Sequence, residues 1–338
     1  MRCSSNSDLP LVSVLTPVYN GERYLVECIE SVRAQTYPNW EYLLVNNCST
    51  DGTLDIIRPY VSKDPRIKFH TNDRFVGLIE NHNIAFSLAS RDSKYCKVVS
   101  ADDYLYPDSI SQLVNLAERN PKVSIVGSYS ISDNGVDSLG MPLDAVFSGR
   151  DICRLYLLGA LRAFGTPSAV LYRSELVRSN VPFLPGTAPS ADLAACFVYL
   201  QNHDYGFVHQ ILSYQRIHAE AASHSIQNLN GFLLDQIDFL ADYGSIFLTQ
   251  TELKSRQAVL LENYYEFLAG AVVSRRGKDF WHFHKSRISR LGYSLYSDRM
   301  AIALVHKLTD LMFNPKQTAQ KAIGRFRSKS DASGLPRI

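Results

Sequence analysis

The sequence of 338 residues has no apolar run approaching the roughly 18 residues that a membrane-spanning helix needs. Its opening stretch, MRCSSNSDLP, is polar and lacks the apolar centre of a signal peptide. A soluble protein, or one attached to a membrane surface, is expected. Net charge is small: lysine and arginine number 35 against 33 aspartates and glutamates, so there is no electrostatic case for a nucleic-acid partner. The six cysteines (Cys3, Cys28, Cys48, Cys96, Cys153 and Cys196) are scattered, with no CxxC pair and no Cys/His metal spacing. That pattern points to reduced thiols in a cytoplasmic compartment. Two phosphate-binding signatures are missing too. After the first apolar run stands TPVYNGE, with one glycine where a dinucleotide fold needs GxGxxG, and no GxxxxGK[ST] loop occurs.

What is present is an alternation. LVSVLT (11–16) reads as a buried strand stopped by Pro17, followed by a helix with Leu25, Ile29 and Val32 on one face. EYLLVN (41–46), RIKFHT (66–71) and YCKVVS (95–100) read as further strands. DGTLDIIRPYV, which Pro59 is expected to shorten or kink, and GLIENHNIAFSLAS read as the helices between them. Strand–helix alternation implies an α/β fold with a mostly parallel sheet flanked by helices. Ligands of such sheets bind outside the carboxyl ends of the strands.

Polar residues collect at those ends. Asn46 and Asn47 close the second strand, and Ser49, Thr50 and Asp51 precede a helix. Asp51 reads as a cap or Asx-turn residue, whereas Asn46 has an amide free to meet a ligand. Asp102 and Asp103 stand just past the fourth strand. Adjacent carboxylates there repel each other unless a cation or hydroxyls fill the space. Hard oxygen donors suit Mg²⁺ or Mn²⁺ with substrate phosphates as further ligands; the alternative is a solvated turn that caps the next helix.

Together these stretches resemble the family-2 glycosyltransferases and their GT-A fold. VSVLTPVYNGERYLVECIESVRAQTYPNWEYLLVNNCSTDGT resembles their opening, with its P-x-Y-N strand end and D-D-G-S-T-D-G-T motif. NDRFVGLIENHNIAFSLAS and VVSADDYLYPDS continue the likeness, the latter over their D-x-D-D motif. The likeness is dense over about residues 11–120 and thinner to about 225. It implies a nucleotide-diphosphate sugar as donor. Thr16, Pro17 and Tyr19 match positions lining the nucleotide pocket, Asn46 the acid facing the nucleobase, Asp102 the carboxylate near the ribose, and Asp103 the one reaching the divalent cation. The chain departs at Asn46 and Asn47, which replace two aspartates, at Cys48, which replaces a glycine, and at Ser100 and Ala101. An amide at 46 is expected to discriminate less sharply between pyrimidines.

Beyond residue 106 the pattern loosens. PDSISQLVNLAERN is helical with Ile110, Leu113, Val114 and Ala117 inward; KVSIVGSYSI and SAVLYRS read as strands and SGRDICRLYLLGA as a helix. The stretch 132–149 reads as a loop. TAPSADLAACFVYLQN is a helix that Ser190 is expected to cap, with Asp192 in its first turn. A carboxylate there complements the helix dipole; by resemblance it is also the general base, in an Ala191–Asp192 pair where the family has Glu-Asp. One base and direct attack imply inversion. SYQRIHAEAASHS resembles the family's Y-R-x-H-x-x-S region: Arg216 is a candidate for neutralising the diphosphate, and His218 for a metal ligand, a phosphate contact or a structural histidine.

Residues 226–313 read as helices: one ending at Gly244, one opening with a Thr249/Glu252 capping box, and two more. Tyr264, Tyr265, Phe280 and Trp281 either pack between helices or line an acceptor groove; His282 and His284 fall on different faces. The tail 314–338 is basic, solvated or in contact with anionic lipid at the inner face of a membrane. The division expected is a nucleotide-sugar half (1–105), an acceptor half (106–225), a helical extension (226–313) and the tail. The leading reading is an inverting, metal-assisted transferase acting on a glycan or lipid-linked acceptor in polysaccharide assembly. A non-catalytic nucleotide-sugar or glycan-binding module is the alternative, and a nucleotidyltransferase lacks the glycine-rich basic loop it needs.

Overall fold

The structure, a computed structural model, describes residues 9–186, 190–218, 229 and 231–313. Cys3, His224 and the basic tail lie outside them. Two compact units result: Met1–Ser225 with Ile246–Leu248, and Ile226–Ser245 with Thr249–Ile338.

In the first unit β1 (Val12–Val18), α1 (Leu25–Arg33), β2 (Trp40–Asn46), α2 (Thr53–Lys63), β3 (Ile67–Thr71), α3 (Leu78–Ser87) and β4 (Tyr95–Val98) alternate. There follow β5 (Tyr104–Leu105), α4 (Ser109–Arg119), β6 (Val123–Ser132), β7 (Gly135–Val136) and β8 (Val146–Phe147). Then come α5 (Gly149–Leu157), β9 (Val170–Arg173), α6 (Ser174–Ser179), α7 (Ala191–Tyr199) and β10 (Asp204–Tyr214). All ten strands form one sheet in the order β3-β2-β1-β4-β9-β6-β10-β5, with β7 on β6 and β8 on β10. Strands β1 to β4 pair in parallel, and β6 with β10; β9 enters antiparallel between β4 and β6. The two expected halves thus share a continuous sheet.

The helix periodicities translate directly into burial. Leu25, Cys28, Ile29 and Val32 of α1, and Ile110, Leu113, Val114 and Ala117 of α4, join Val12, Val14, Tyr42 and Leu44 in one core. Each such aliphatic side chain contributes about 1.5–3 kcal/mol by leaving water. The strand β1 runs through Pro17 instead of stopping there. Along β1, Leu15 accepts from Val99 on the β4 side and Val18 from Asn47 on the β2 side. Alternation turns the nitrogen of Pro17 toward β4, where the ladder has already ended, so its missing N–H costs nothing. Pro59 likewise lies inside α2 without ending it.

The second unit holds most of α8 (Phe232–Phe247), with α9 (Gln250–Val273), α10 (Lys278–Arg290) and α11 (Asp298–Phe313). The capping box forms: Glu252 N–H donates to Thr249 Oγ1 and Thr249 N–H to Glu252 Oε2. Gly244 is no cap; α8 continues past it, and Leu253 packs where a Cβ would stand. Tyr264, Tyr265 and Phe280 are buried packing residues. His284 is buried, donating to the Leu229 carbonyl and accepting from Tyr264, and burial lowers its pKa. No described helix is long and apolar enough to cross a membrane.

Candidate active site

The carboxyl ends of β1, β2, β4, β6 and β10 share one edge of the sheet, and so do the residues preceding β9, because that strand runs the other way. Two groups of side chains stand there, and a third candidate, Asp192, lies in the first turn of α7.

The first surrounds the end of β2. Asn46 is 1 % exposed; its Oδ1 accepts from Ser49 N–H at 3.1 Å and its Nδ2 faces Thr71 Oγ1 at 3.4 Å. Asn47 holds both N–H and C=O of Val76 and accepts from Asn72, which also donates to Asn81. Asn20 Oδ1 accepts from Thr50 N–H, Ser49 Oγ from Asn20 N–H, and Asp51 from the N–H groups of Glu22 and Thr53. The expectation for Asp51 as an Asx-turn residue describes what it does. Asn46, expected against the nucleobase, accepts from the backbone of its own turn through Oδ1 and reaches the Thr71 hydroxyl through Nδ2. Cys48 has φ +56°, the left-handed conformation that a glycine adopts freely. Thr16 is also turned away from solvent: fully buried, it donates to the Val99 carbonyl at 2.8 Å and pairs with Tyr42 Oη at 2.9 Å. Pro17 is buried beside it.

What this region leaves open is aromatic. Tyr19 and Phe75 are 49 % and 58 % exposed, with ring centroids 4.8 Å apart, edge to face. Phe75 was not singled out from sequence; the signal was a phenylalanine between Arg74 and Val76 just after a strand.

The second group joins the ends of β4 and β10. Asp102 Oδ2 and His218 Nε2 face each other at 2.9 Å. His218 Nδ1 is buried with no partner among the described residues. Asp103, expected to reach the cation, is buried, with Oδ1 accepting from Arg216 N–H at 3.0 Å and Oδ2 from Ser168 Oγ at 2.6 Å. Burial, then the Asp102 charge, raises its pKa to about 7 against those two donors. Beneath it Lys97 is fully buried, donating to the carbonyls of Ser168, Val98 and Val170; burial lowers its pKa. Arg216, expected to face a diphosphate, is already engaged. Its guanidinium donates to Glu27 at 2.6 Å and to the Asp102 carbonyl at 3.0 Å, and it stacks on Tyr24 at 4.4 Å. Lys97, Ser168, Glu27 and Tyr24 were missed from sequence, where nothing links residues so far apart.

The third element is Asp192 in the first turn of α7. Ser190 occupies the cap position without a side-chain hydrogen bond. Desolvation raises the Asp192 pKa to about 6, opposed by the N–H groups of Leu193 and of Asp192 itself. No hydrogen bond ties it to the other two groups among the described residues.

The donor set suits a divalent cation in part. Among the described residues no cluster of three or more His, Cys, Asp or Glu side chains could hold a metal. Asp102 and His218 nevertheless present one oxygen and one nitrogen toward each other. Mg²⁺ and Mn²⁺ accept few protein ligands when water and phosphates complete the shell.

A helix-flanked, mostly parallel sheet of this topology is the GT-A fold. The chain is similar in fold to S. aureus TarS solved with UDP-GlcNAc, with TM-score 0.56, 18 % identity, and coverage of 77 % of this chain and 73 % of that one. It is also similar to the mannosyltransferase PcManGT of Pyrobaculum calidifontis, solved with GDP-Man and Mn²⁺, with TM-score 0.50, 14 % identity, and coverage of 90 % and 87 %. Residues 13–178 match the sequence profile of Glycosyl transferase family 2, and the chain carries a domain of that family. Among curated relatives, TuaG of Bacillus subtilis, named for teichuronic acid biosynthesis, is 35 % identical over 136 residues, covering 40 % of this chain and 51 % of TuaG. The chain spans 18 %, 36 % and 51 % of the length of three of the curated relatives it matches.

Proposed function

We propose that the protein transfers a sugar from a nucleotide-diphosphate donor, a UDP-sugar, to a hydroxyl of a glycan or lipid-linked acceptor, with inversion at the anomeric carbon. The observation that carries this reading is the Asp102–His218 pair on the carboxyl edge of a family-2 domain. TarS, solved with UDP and UDP-GlcNAc, supports a uridine donor; PcManGT with Mn²⁺ supports a cation; the name of TuaG supports polysaccharide assembly. The five described cysteines are free, in keeping with a reducing, cytoplasmic setting.

In this reading Tyr19 and Phe75 offer a nucleobase an apolar face, and Asp102 and His218 hold Mn²⁺ or Mg²⁺. Such a cation, when bound, offsets the charge that builds on the departing diphosphate. Asp103 stays inside, fixing the backbone of Arg216 and hence the end of β10 that carries His218. Arg216 in turn holds the Asp102 carbonyl. Asp192 accepts the proton of the acceptor hydroxyl as its oxygen bonds to the anomeric carbon and the bond to the diphosphate breaks. A raised pKa makes its carboxylate a stronger base while leaving it ionised at neutral pH, and such assistance is typically worth about 10²–10⁴ in rate.

The test is a panel of nucleotide sugars scored for thermal stabilisation with Mn²⁺, then for hydrolysis or transfer against Asp102→Asn. Stabilisation by a UDP-sugar and turnover lost in the variant are expected. If no nucleotide sugar stabilises the protein, the donor assignment fails. If donors bind and turnover never exceeds that of the variant, the protein is a binding module with this fold, the alternative that Asn46, Asn47, Ser100 and Ala191 in place of acids favour.

A further inference from the structure

The helix α11 is apolar on two sides. Met300, Ala303, Leu304 and Leu311 are partly or fully buried, and Ala303, His306, Lys307 and Asp310 line a cavity with Asn263, Glu266 and Phe267 of α9. Away from it stand Ile302, Val305, Leu308, Met312 and Phe313, each between 52 % and 80 % exposed. At about 100° per residue the five fall within an arc of about 140°. The Thr309 hydroxyl, in the same arc, is returned to the Val305 and His306 carbonyls, and the charged residue there is Asp298 at the helix start. Arg299, His306 and Asp310 lie along one flank. A solvated helix has no reason to keep such a surface, and a contiguous exposed apolar strip marks a site of association.

The sequence that follows indicates the partner. Residues 314–338 carry six basic side chains (Lys316, Lys321, Arg325, Arg327, Lys329 and Arg337) against one acid, Asp331. We infer that the outer face of α11, together with this basic segment, docks on an anionic lipid surface. The apolar side chains enter the interface and the basic ones meet the headgroups, the combination that holds peripheral proteins on membranes. A helix of 16 residues is about 24 Å long, short of the hydrocarbon core, so it lies along the surface and does not cross it. A second copy of the chain fits less well. A strip five side chains long is narrow against the ~800 Å² per partner of a stable interface, and pairing would bring two positively charged segments together. This inference does not depend on the catalytic reading and survives its failure.

Full-length protein is sedimented with vesicles of phosphatidylcholine alone and of phosphatidylcholine with phosphatidylglycerol. Binding to the anionic vesicles is expected to be at least about tenfold stronger and to weaken as salt rises. The double variant Leu308→Ser/Met312→Ser, altered only at exposed positions, is expected to lose about tenfold or more of that binding with an unchanged melting temperature. Equal binding to both vesicle types, no binding, or full binding by the variant overturns the inference. So does a dimer, seen by sedimentation velocity without lipid, that the same variant dissolves; that result assigns the face to a second copy.

Discussion

The two ends of the same sheet edge use polar side chains in opposite ways. At the β2 end, Asn46, Asn47, Asn72, Ser49 and Asp51 are joined to one another and to the backbone, and what faces solvent is the Tyr19–Phe75 ring pair. At the β4/β10 end the inner layer of Lys97, Ser168 and Asp103 is also bonded together, but it supports an outer pair, Asp102 and His218; each end keeps one buried polar atom without a partner among the described residues, Asn72 Oδ1 and His218 Nδ1. A polar residue at a strand terminus is thus not by itself a ligand contact. The distinguishing property is the chemistry of what is left over, an amide oxygen at one end and a carboxylate–imidazole pair at the other.

The contrast can be broken in several places. The largest effect is expected at Asp192, which stands outside both layers. Asp192→Asn should lower turnover about 10²–10⁴-fold while donor binding and melting temperature stay level or rise, because a partly desolvated charge is removed. Initial rates and donor titration would check it, and near-normal turnover removes this residue from the mechanism. The same base sets the pH profile. An acid whose pKa is raised to about 6 loses its basic form on acidification, so turnover should fall about tenfold per pH unit below 6. An ordinary carboxylate would place that limb near 4. UDP binding measured in parallel should not show the limb if Asp192 is its source.

At the β4/β10 end, Ser168→Ala removes one donor from Asp103 without touching Asp102. Mn²⁺ affinity, measured by titration calorimetry in the presence of UDP, should drop about 10–100-fold with a small change in melting temperature. Unaltered affinity would mean that the inner layer does not position the outer pair. The smallest functional effect belongs to the β2 end. Asn47→Leu should cost about 1–3 kcal/mol of stability by leaving the Val76 groups unpaired. Asn46→Ala should leave the ratio of UDP to CDP affinity unchanged; a shifted ratio in calorimetry would return the amide to the nucleobase.

Much of the fold could be read in advance because burial follows periodicity. The inward faces of α1 and α4 were visible as Leu25, Ile29 and Val32 and as Ile110, Leu113, Val114 and Ala117. Asp102 and Asp103 were recognisable as a pair, but not which of them turns inward. Just past β4 the chain leaves the alternating geometry of a strand, so adjacent side chains no longer take opposite faces by rule. The choice is made by Ser168, 65 residues on, which reaches Asp103 only because β9 returns antiparallel beside β4. Asn46 shows a related limit: the matching acids of the family suggest a ligand, and the contacts of its amide with Ser49 and Thr71 appear only once the strands are laid side by side.

The insertion of β9 between β4 and β6 has a practical corollary for protein engineering. The amino-terminal hundred residues cannot be exchanged as a self-sufficient cassette, since their last strand would present a bare edge and Asp103 would lose its hydroxyl donor. A chimera intended to change donor preference must carry the segment from Thr166 to Arg173 along with the nucleotide-side loops. Grafts that omit it are expected to aggregate before their specificity can be measured.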